Sequence, residues 1–406
     1  MRPVISFLLL VSVLHILCLV TDAFGGRGGI AQYNRDLLNA LVDTGAFSSI
    51  TVLPRLAPDP FEGPDRLIKQ AAAPPGRLAY VIAALRTAMF QKVDLVFCGH
   101  LYMASLAASI AVLTGAKFIV QMHGIEAWSR PSRLRRAAVE SADLILCVSR
   151  YTRAAVLSWA AIPPERVLVI PNTVGEIFTP GDGAAMRAAL ELEGKRVLLT
   201  VGRMDSRERY KGHDLVIGAI PELIAQGYDV TYIVVGEGDD SRRLEALARD
   251  IGVAQRVRFL GTVGRCRLLE AYRMADVFVM PSTGEGFGIA FLEAMATGTP
   301  ALGLGVAGAN DPLADGDLGV LACEESLARD IATALAQCPP DPHVLSSDLR
   351  ARFGREAFMS GLRAIIHRLQ EGASERTVSP TEELIDLQVS GKRAGSAPSF
   401  PGPSGG

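Results

Sequence analysis

The sequence predicts an α/β protein of two doubly wound domains facing each other across a cleft, and three observations carry that expectation. Apolar runs of strand length alternate with amphipathic runs of helix length, the pattern of a parallel α/β layer. After "IFTPGDG" the alternation begins again, so two such layers meet near residue 178. Polar and glycine-rich motifs directly follow the apolar runs, where open α/β sheets bind their ligands.

At the N-terminus, "MRPVISFLLLVSVLHILCLVTDA" offers a basic residue, an apolar run and a small residue at Ala23, as a signal peptide does. The competing reading takes "VLHILCLVTDAF" as the first buried strand, because the turn "GGRGG" and the helix-like "IAQYNRDLLNAL" follow it directly. We adopt the strand, starting at Val13, which leaves residues 1–12 as an extension and implies a cytoplasmic protein. "VDLVFCGH", "KFIVQMHG", "ADLILCVS" and "RVLVIPN" read as further strands of a first domain over 13–178, with "GRLAYVIAALRTAMF" among its helices. "KRVLLTVGR", "DVTYIVVGEG", "QRVRFLGTV", "ADVFVMPS" and "TPALGLG" supply the second domain, over 179–348. From about residue 371 periodicity ends and Ser, Gly and Pro dominate, so 371–406 reads as a disordered tail.

Composition narrows the class. At 406 residues, 49% hydrophobic and 21% charged, the chain fills two sizeable cores. A net charge of −2 gives no basic excess for nucleic acid. Six cysteines without CxxC spacing read as reduced thiols, not as a zinc site or a disulfide framework.

"EGFGIAFLEAMATGTPALG", residues 285–303, brackets Gly286, Phe287 and Gly288 with Glu285 and Glu293 at the head of a helix-like run. Glycine lets the backbone approach a ligand, and the first amides of a helix, lacking internal partners, suit an anion. The glutamates add acceptors for hydroxyls, so the pattern fits a phosphorylated, hydroxyl-rich ligand such as a sugar nucleotide. In "TVGRMDSRERYKGHD", Arg203 follows a buried strand and Lys211 precedes the next helix. The two cations either reach a diphosphate or belong to a solvated charged loop. Glu293 has Ile289 and Thr297 four residues away in place of a basic partner, which favours a ligand role. "DGD" at 315–317 has the form of a metal-binding DxD but reads as a polar turn, and no metal site is expected.

Taken together, "GGRGGIAQYNRDL", "HGIEAW", "VSRYT", "IPNTV", "VGRMDSRERYKGHD", "VVGEGDD" and "EGFGIAFLEAMATGTP" occur in the order found in retaining GT-B glycosyltransferases of family four, and over residues 13–370 the chain resembles that family. The resemblance implies two Rossmann-like domains, the first for an acceptor and the second for a nucleotide sugar, with a last helix over 349–370 crossing back to the first. It implies that Arg203 and Lys211 hold the donor diphosphate, that Glu293 bonds the ribose hydroxyls and that Glu285 contacts the donor sugar. The amides of Gly286, Phe287 and Gly288 would meet sugar or phosphate. Gly26, Gly28 and Gly29 would close over the diphosphate from the first domain, unless that loop is only a tight turn. His123 would line the sugar pocket, unless backbone groups alone satisfy it. Arg203, Lys211, Glu285 and His123 are thus the catalytic candidates. Two departures stand out: Gly175 follows Val174 where the family often has Asp, and "GLGVAGANDPLADGDLG" differs from the usual glycine-rich form.

The implied reaction moves a hexose from a nucleoside-diphosphate sugar to a glycan or lipid-linked acceptor, without metal or cofactor, in bacterial surface-polysaccharide synthesis at or near the inner membrane face. An epimerase, a phosphorylase or a catalytically silent nucleotide-sugar-binding protein shares the fold. A dehydrogenase fits poorly, because "GGRGG" lacks the G-x-G-x-x-G order.

Overall fold

The computed structural model describes residues 14–56, 61–62, 65–337 and 339–371. The expected extension over 1–12, Cys338 and the expected tail beyond Glu371 lie outside them. In chain order the first half forms β1 (Leu14–Val20), α1 (Gly29–Asp43), β2 (Phe47–Pro54), β3 (Phe61–Glu62), β4 (Ile68–Gln70), α2 (Gly76–Phe90), β5 (Leu95–Cys98), α3 (Ala104–Thr114), β6 (Lys117–Met122), α4 (Ile125–Trp128), α5 (Arg133–Glu140), β7 (Leu144–Cys147), α6 (Arg150–Trp159) and β8 (Val167–Val169). The second half forms α7 (Ala184–Ala189), β9 (Arg196–Val201), α8 (His213–Ala225), β10 (Val230–Val235), α9 (Ser241–Asp250), β11 (Val257–Phe259), α10 (Arg265–Met274), β12 (Val277–Met280), α11 (Ile289–Ala296), β13 (Ala301–Leu304), β14 (Val320–Ala322), α12 (Leu327–Ala336), α13 (Pro342–Phe353) and α14 (Arg355–Glu371).

The strands make two sheets, ordered β3-β4-β2-β1-β5-β6-β7-β8 and β11-β10-β9-β12-β13-β14. All pairings are parallel except β3 on β4. β1 is central because its sequence allows it: Ile16, Cys18 and Val20 enter the apolar cluster on one face, Leu17 and Leu19 the cluster on the other. A strand apolar on both sides is stable only with helices over both faces. Cys18 pairs with Val52 of β2 and with Phe97 of β5, which fixes its register on both edges.

In each sheet the chain runs outward from the central strand, then returns to pair on that strand's other side. β1 therefore lies between β2 and β5, and β9 between β10 and β12. Each reversal leaves a crevice at the C-terminal ends of the strands, the place where such sheets bind ligands. The segments after β1, β9 and β12 are those singled out from the sequence.

The last two helices tie the halves together. α13 packs on α11, and α14 packs on α1, where Phe358 meets the Tyr33 ring edgewise at 6.1 Å and Arg355 pairs with Asp43. The crossing element expected over 349–370 is thus the end of α13 followed by α14, broken at Gly354, where a Cβ would collide with the Arg350 carbonyl. Among the described residues no helix is long and apolar enough to cross a membrane.

Candidate functional site

The loop after β9 is held close to the sheet by glycines that no other residue could replace. A Cβ on Gly236 would collide with the Gly202 carbonyl, and one on Gly238 with that of Met204, so "VVGEGDD" lets residues 202–204 lie against it. Gly212 takes a left-handed φ of 74° just before α8 and abuts Pro281. Thr283 N donates to the Tyr210 carbonyl at 2.8 Å, which binds this loop to the one after β12. The sequence reading left a solvated loop open as an alternative for residues 203–211; the fold packs Lys211 inside and leaves Arg203 exposed.

Both cations converge on one carboxylate. Arg203 pairs with Glu208, whose other oxygen, buried and without a hydrogen bond, lies 3.9 Å from Lys211 Nζ. Lys211 Nζ also bonds Glu285 Oε1 at 2.9 Å. Sequence reasoning missed Glu208; its spacing three residues before Lys211 was the available signal.

At the head of α11, Gly288 has φ 95° and Gly286 lies against the first domain, where a Cβ would collide with the His123 carbonyl. Phe287 contributes backbone only: its ring is buried and meets Phe353 edgewise at 5.9 Å. Glu293, half-buried farther along α11, accepts from the Tyr272 hydroxyl at 2.7 Å. Burial raises its carboxyl to about 7, against the bond from Tyr272 and the charge of Arg265. Burial likewise raises Asp36 of α1, to about 6.

From the first domain, the loop of Gly26, Gly28 and Gly29 is a braced structure. Arg35 donates to the carbonyls of Ala23 and Gly26, both at 2.8 Å, and Asn34 donates to the Asp22 carbonyl at 2.7 Å. Gly28 has φ 92°, a Cβ on Gly26 would collide with Asp22, and one on Gly29 would lie 3.8 Å from Ile289 at the start of α11. The loop therefore reaches the head of α11 across the cleft.

His123 follows β6. Its Nε2 lies 2.9 Å from the Gly99 carbonyl, an acceptor, so Nε2 carries the hydrogen and Nδ1 is left as the acceptor. Burial lowers its pKa and keeps the ring neutral. The Tyr33 ring holds it edgewise at 5.1 Å.

The segment whose form departs from the family makes a contact of four hydrogen bonds across the cleft. Arg150, at the start of α6, donates from Nε to Asp311 at 2.8 Å and from its two terminal nitrogens to Asp315 at 2.9 and 2.6 Å, while its amide donates to Asp311 at 2.7 Å. Asp317 lies 3.5 Å from Arg352. Two of the residues in the "DGD" turn are thus partners of arginines.

Comparison with known proteins agrees with this geometry. The sequence profile described as Glycosyltransferase Family 4 matches residues 27–175, and that described as Glycosyl transferases group 1 matches 195–339. The chain is 29% identical over 408 residues to a D-inositol 3-phosphate glycosyltransferase of Acidothermus cellulolyticus, covering 89% of each. It is 32% identical over 267 residues to a GDP-mannose-dependent alpha-(1-6)-phosphatidylinositol monomannoside mannosyltransferase of Mycolicibacterium smegmatis, covering 62% of this chain and 68% of that one. With a D-inositol 3-phosphate glycosyltransferase of Corynebacterium aurimucosum the similarity, 34% identity, spans half the length of each. Among solved structures, HepE of Anabaena in complex with UDP superposes with TM-score 0.70 at 19% identity, over 87% of this chain and 100% of that one. The two doubly wound sheets, their facing crevices and these similarities agree, and the chain belongs to the GT-B glycosyltransferases of group 1, family 4.

Proposed function

We propose that the chain transfers a hexose from a nucleoside-diphosphate sugar to a hydroxyl of a glycan or lipid-linked acceptor, with retention of the anomeric configuration. The observation that carries the reading is the convergence of Arg203 and Lys211 on the Glu208 carboxylate at the crevice beyond β9, with Glu285 alongside. A diphosphate is the anion that two such cations suit, and positive groups fixed in place stabilise charge as it develops on the leaving group. Glu285 and His123 then address the sugar, Glu293 the ribose, and the glycine loops supply backbone amides to sugar and phosphate.

As the bond from the anomeric carbon to the phosphate oxygen breaks, the acceptor oxygen bonds that carbon on the same face. Its proton passes to the departing phosphate oxygen. No carboxylate base is needed, and the charge is met by side chains and amides, so we assign the reaction no metal. The relatives' names, with inositol phosphate, phosphatidylinositol mannoside and GDP-mannose, support a phosphorylated or lipid-linked acceptor and a sugar nucleotide donor. We place the work on the cytoplasmic side of the membrane, in surface-glycan assembly.

The test is a panel of UDP-, GDP- and ADP-sugars read by thermal unfolding. A donor present at 100 times its Kd adds about 2.7 kcal/mol to stability. One nucleotide sugar should raise the melting temperature, and its turnover should survive EDTA. No shift with any of them would overturn the reading, and turnover lost to EDTA and restored by magnesium would overturn its metal-free form.

A further inference from the structure

α2 is apolar on two opposite faces. Tyr80, Ala84 and Ala88 are buried against the first sheet in one cluster with Leu17 and Val96. Leu78, Ile82, Met89 and Phe90 line the other side in solvent, Met89 at 75% exposure and Phe90 at 78%. A helix apolar all round normally lies in an interior. The neighbouring helices extend the surface: α3, beside α2, exposes Val112 and Leu113, and α5, beside α3, exposes Leu134. Extended apolar surface of this kind marks an interaction site.

Charge is equally uneven here. Residues 76–93, 99–117 and 129–139 hold eight Lys and Arg and no Asp or Glu, in a chain of net charge −2. Lys92, Lys117 and Arg136 pair with acids from outside these stretches. Arg77, Arg86 and Arg133 lie exposed among the apolar side chains, and Arg135 sits 5.0 Å over the ring of exposed Tyr102. A second copy of the same face would set like charges against each other. Anionic headgroups above an acyl layer satisfy both features at once.

We propose that the outer face of α2, α3 and α5 docks flat on an anionic lipid bilayer, its apolar side chains entering the interface and its arginines meeting headgroup phosphates. The docked face ends beside the cleft, since Tyr102 stacks on His100 at 4.6 Å and His100 lies 6.3 Å from His123. The docking does not rest on the transfer reading.

The experiment is sedimentation of the full chain, without donor, with vesicles of phosphatidylcholine alone and of phosphatidylcholine doped with phosphatidylglycerol. Partition should favour the anionic vesicles strongly and fall as salt rises. Arg86→Gln with Arg133→Gln should lower it about twenty-five-fold, each arginine near such a surface contributing about five-fold. Met89→Ser with Phe90→Ser should lower it as well while leaving the melting temperature unchanged. Equal partition into both vesicle types, or undiminished partition in both double variants, would overturn the proposal. So would a dimer that the Met89 and Phe90 changes abolish, in a chain that does not bind vesicles. Vesicle binding without any sugar-nucleotide turnover would leave the docking standing and remove only the transfer reading.

Discussion

Lys211 Nζ and Glu285 Oε1 meet at 2.9 Å, and this bond joins the loop after β9 to the loop after β12 on the two sides of the second sheet's crevice. Both side chains are well covered, 14% and 12% exposed, whereas Arg203 is 70% exposed. The two proposed diphosphate ligands therefore differ in what the fold loses without them.

Truncation of Lys211 leaves the Glu285 carboxylate desolvated and unpaired, a loss of about 3 kcal/mol. Arg203→Ala should change stability by less than about 0.5 kcal/mol, as exposed substitutions do. Both should cut turnover about a hundred- to a thousand-fold. Lys211→Met combined with Glu285→Gln should recover stability in denaturant titrations without recovering turnover. Full turnover in either single variant would contradict the diphosphate assignment.

Glu293 predicts a pH dependence. Its carboxyl is raised from an ordinary 4.5 to about 7, so between those values the folded chain keeps a proton that the unfolded chain has released. Stability from this group is therefore full below pH 4.5 and is lost as pH rises through 7. Glu293→Gln should melt above the wild type by a margin that widens from pH 5 to pH 8, while its KM for donor rises. A margin independent of pH would remove the account of a carboxyl raised by desolvation.

The Arg150 contact separates two aspartates. Asp311 is 3% exposed and Asp315 is 35% exposed. Removing the guanidinium in Arg150→Ala strands Asp311 and should lower stability by about 3 to 5 kcal/mol. Asp315→Asn, at the solvent edge, should lower it by less than about 1 kcal/mol. Denaturant unfolding of the two variants decides, and equal losses would contradict the division.

These contacts also mark where the sequence ceased to be legible. Strands such as "LILC" and "VFVM" are short apolar runs buried on both faces, and they announce themselves locally. β2, β3, β4 and β14 went unread: β3 is two residues long, β4 and β14 are three, and β2 opens on Phe47-Ser48-Ser49 with only its last three residues buried in succession, so their pairing partners decide them. The loops carrying Arg203, Lys211 and Glu285 were legible because glycine and charge crowd the ends of strands. Glu208 beside Lys211, Tyr272 under Glu293 and Asp311 under Arg150 were not. The last two are meetings of residues far apart in sequence, for which local pattern has no signature.

β1 gives a prediction about the chain's beginning. A chain starting at Phe24 lacks the strand between β2 and β5 and should aggregate, whereas one starting at Val13 should fold and bind donor. Solubility and circular dichroism of the two chains distinguish the outcomes. A folded, monomeric chain from Phe24 would contradict the central placement of β1.

The central claim is that Arg203 and Lys211 carry a departing nucleoside diphosphate. The most direct measurement is release of that diphosphate from the cognate sugar nucleotide, with the anomeric configuration of the product read by NMR, in the wild type and in Lys211→Ala. The account predicts stoichiometric release with retained configuration, reduced about a hundred-fold or more in the variant. Undiminished release in Lys211→Ala, or an inverted product, would contradict it.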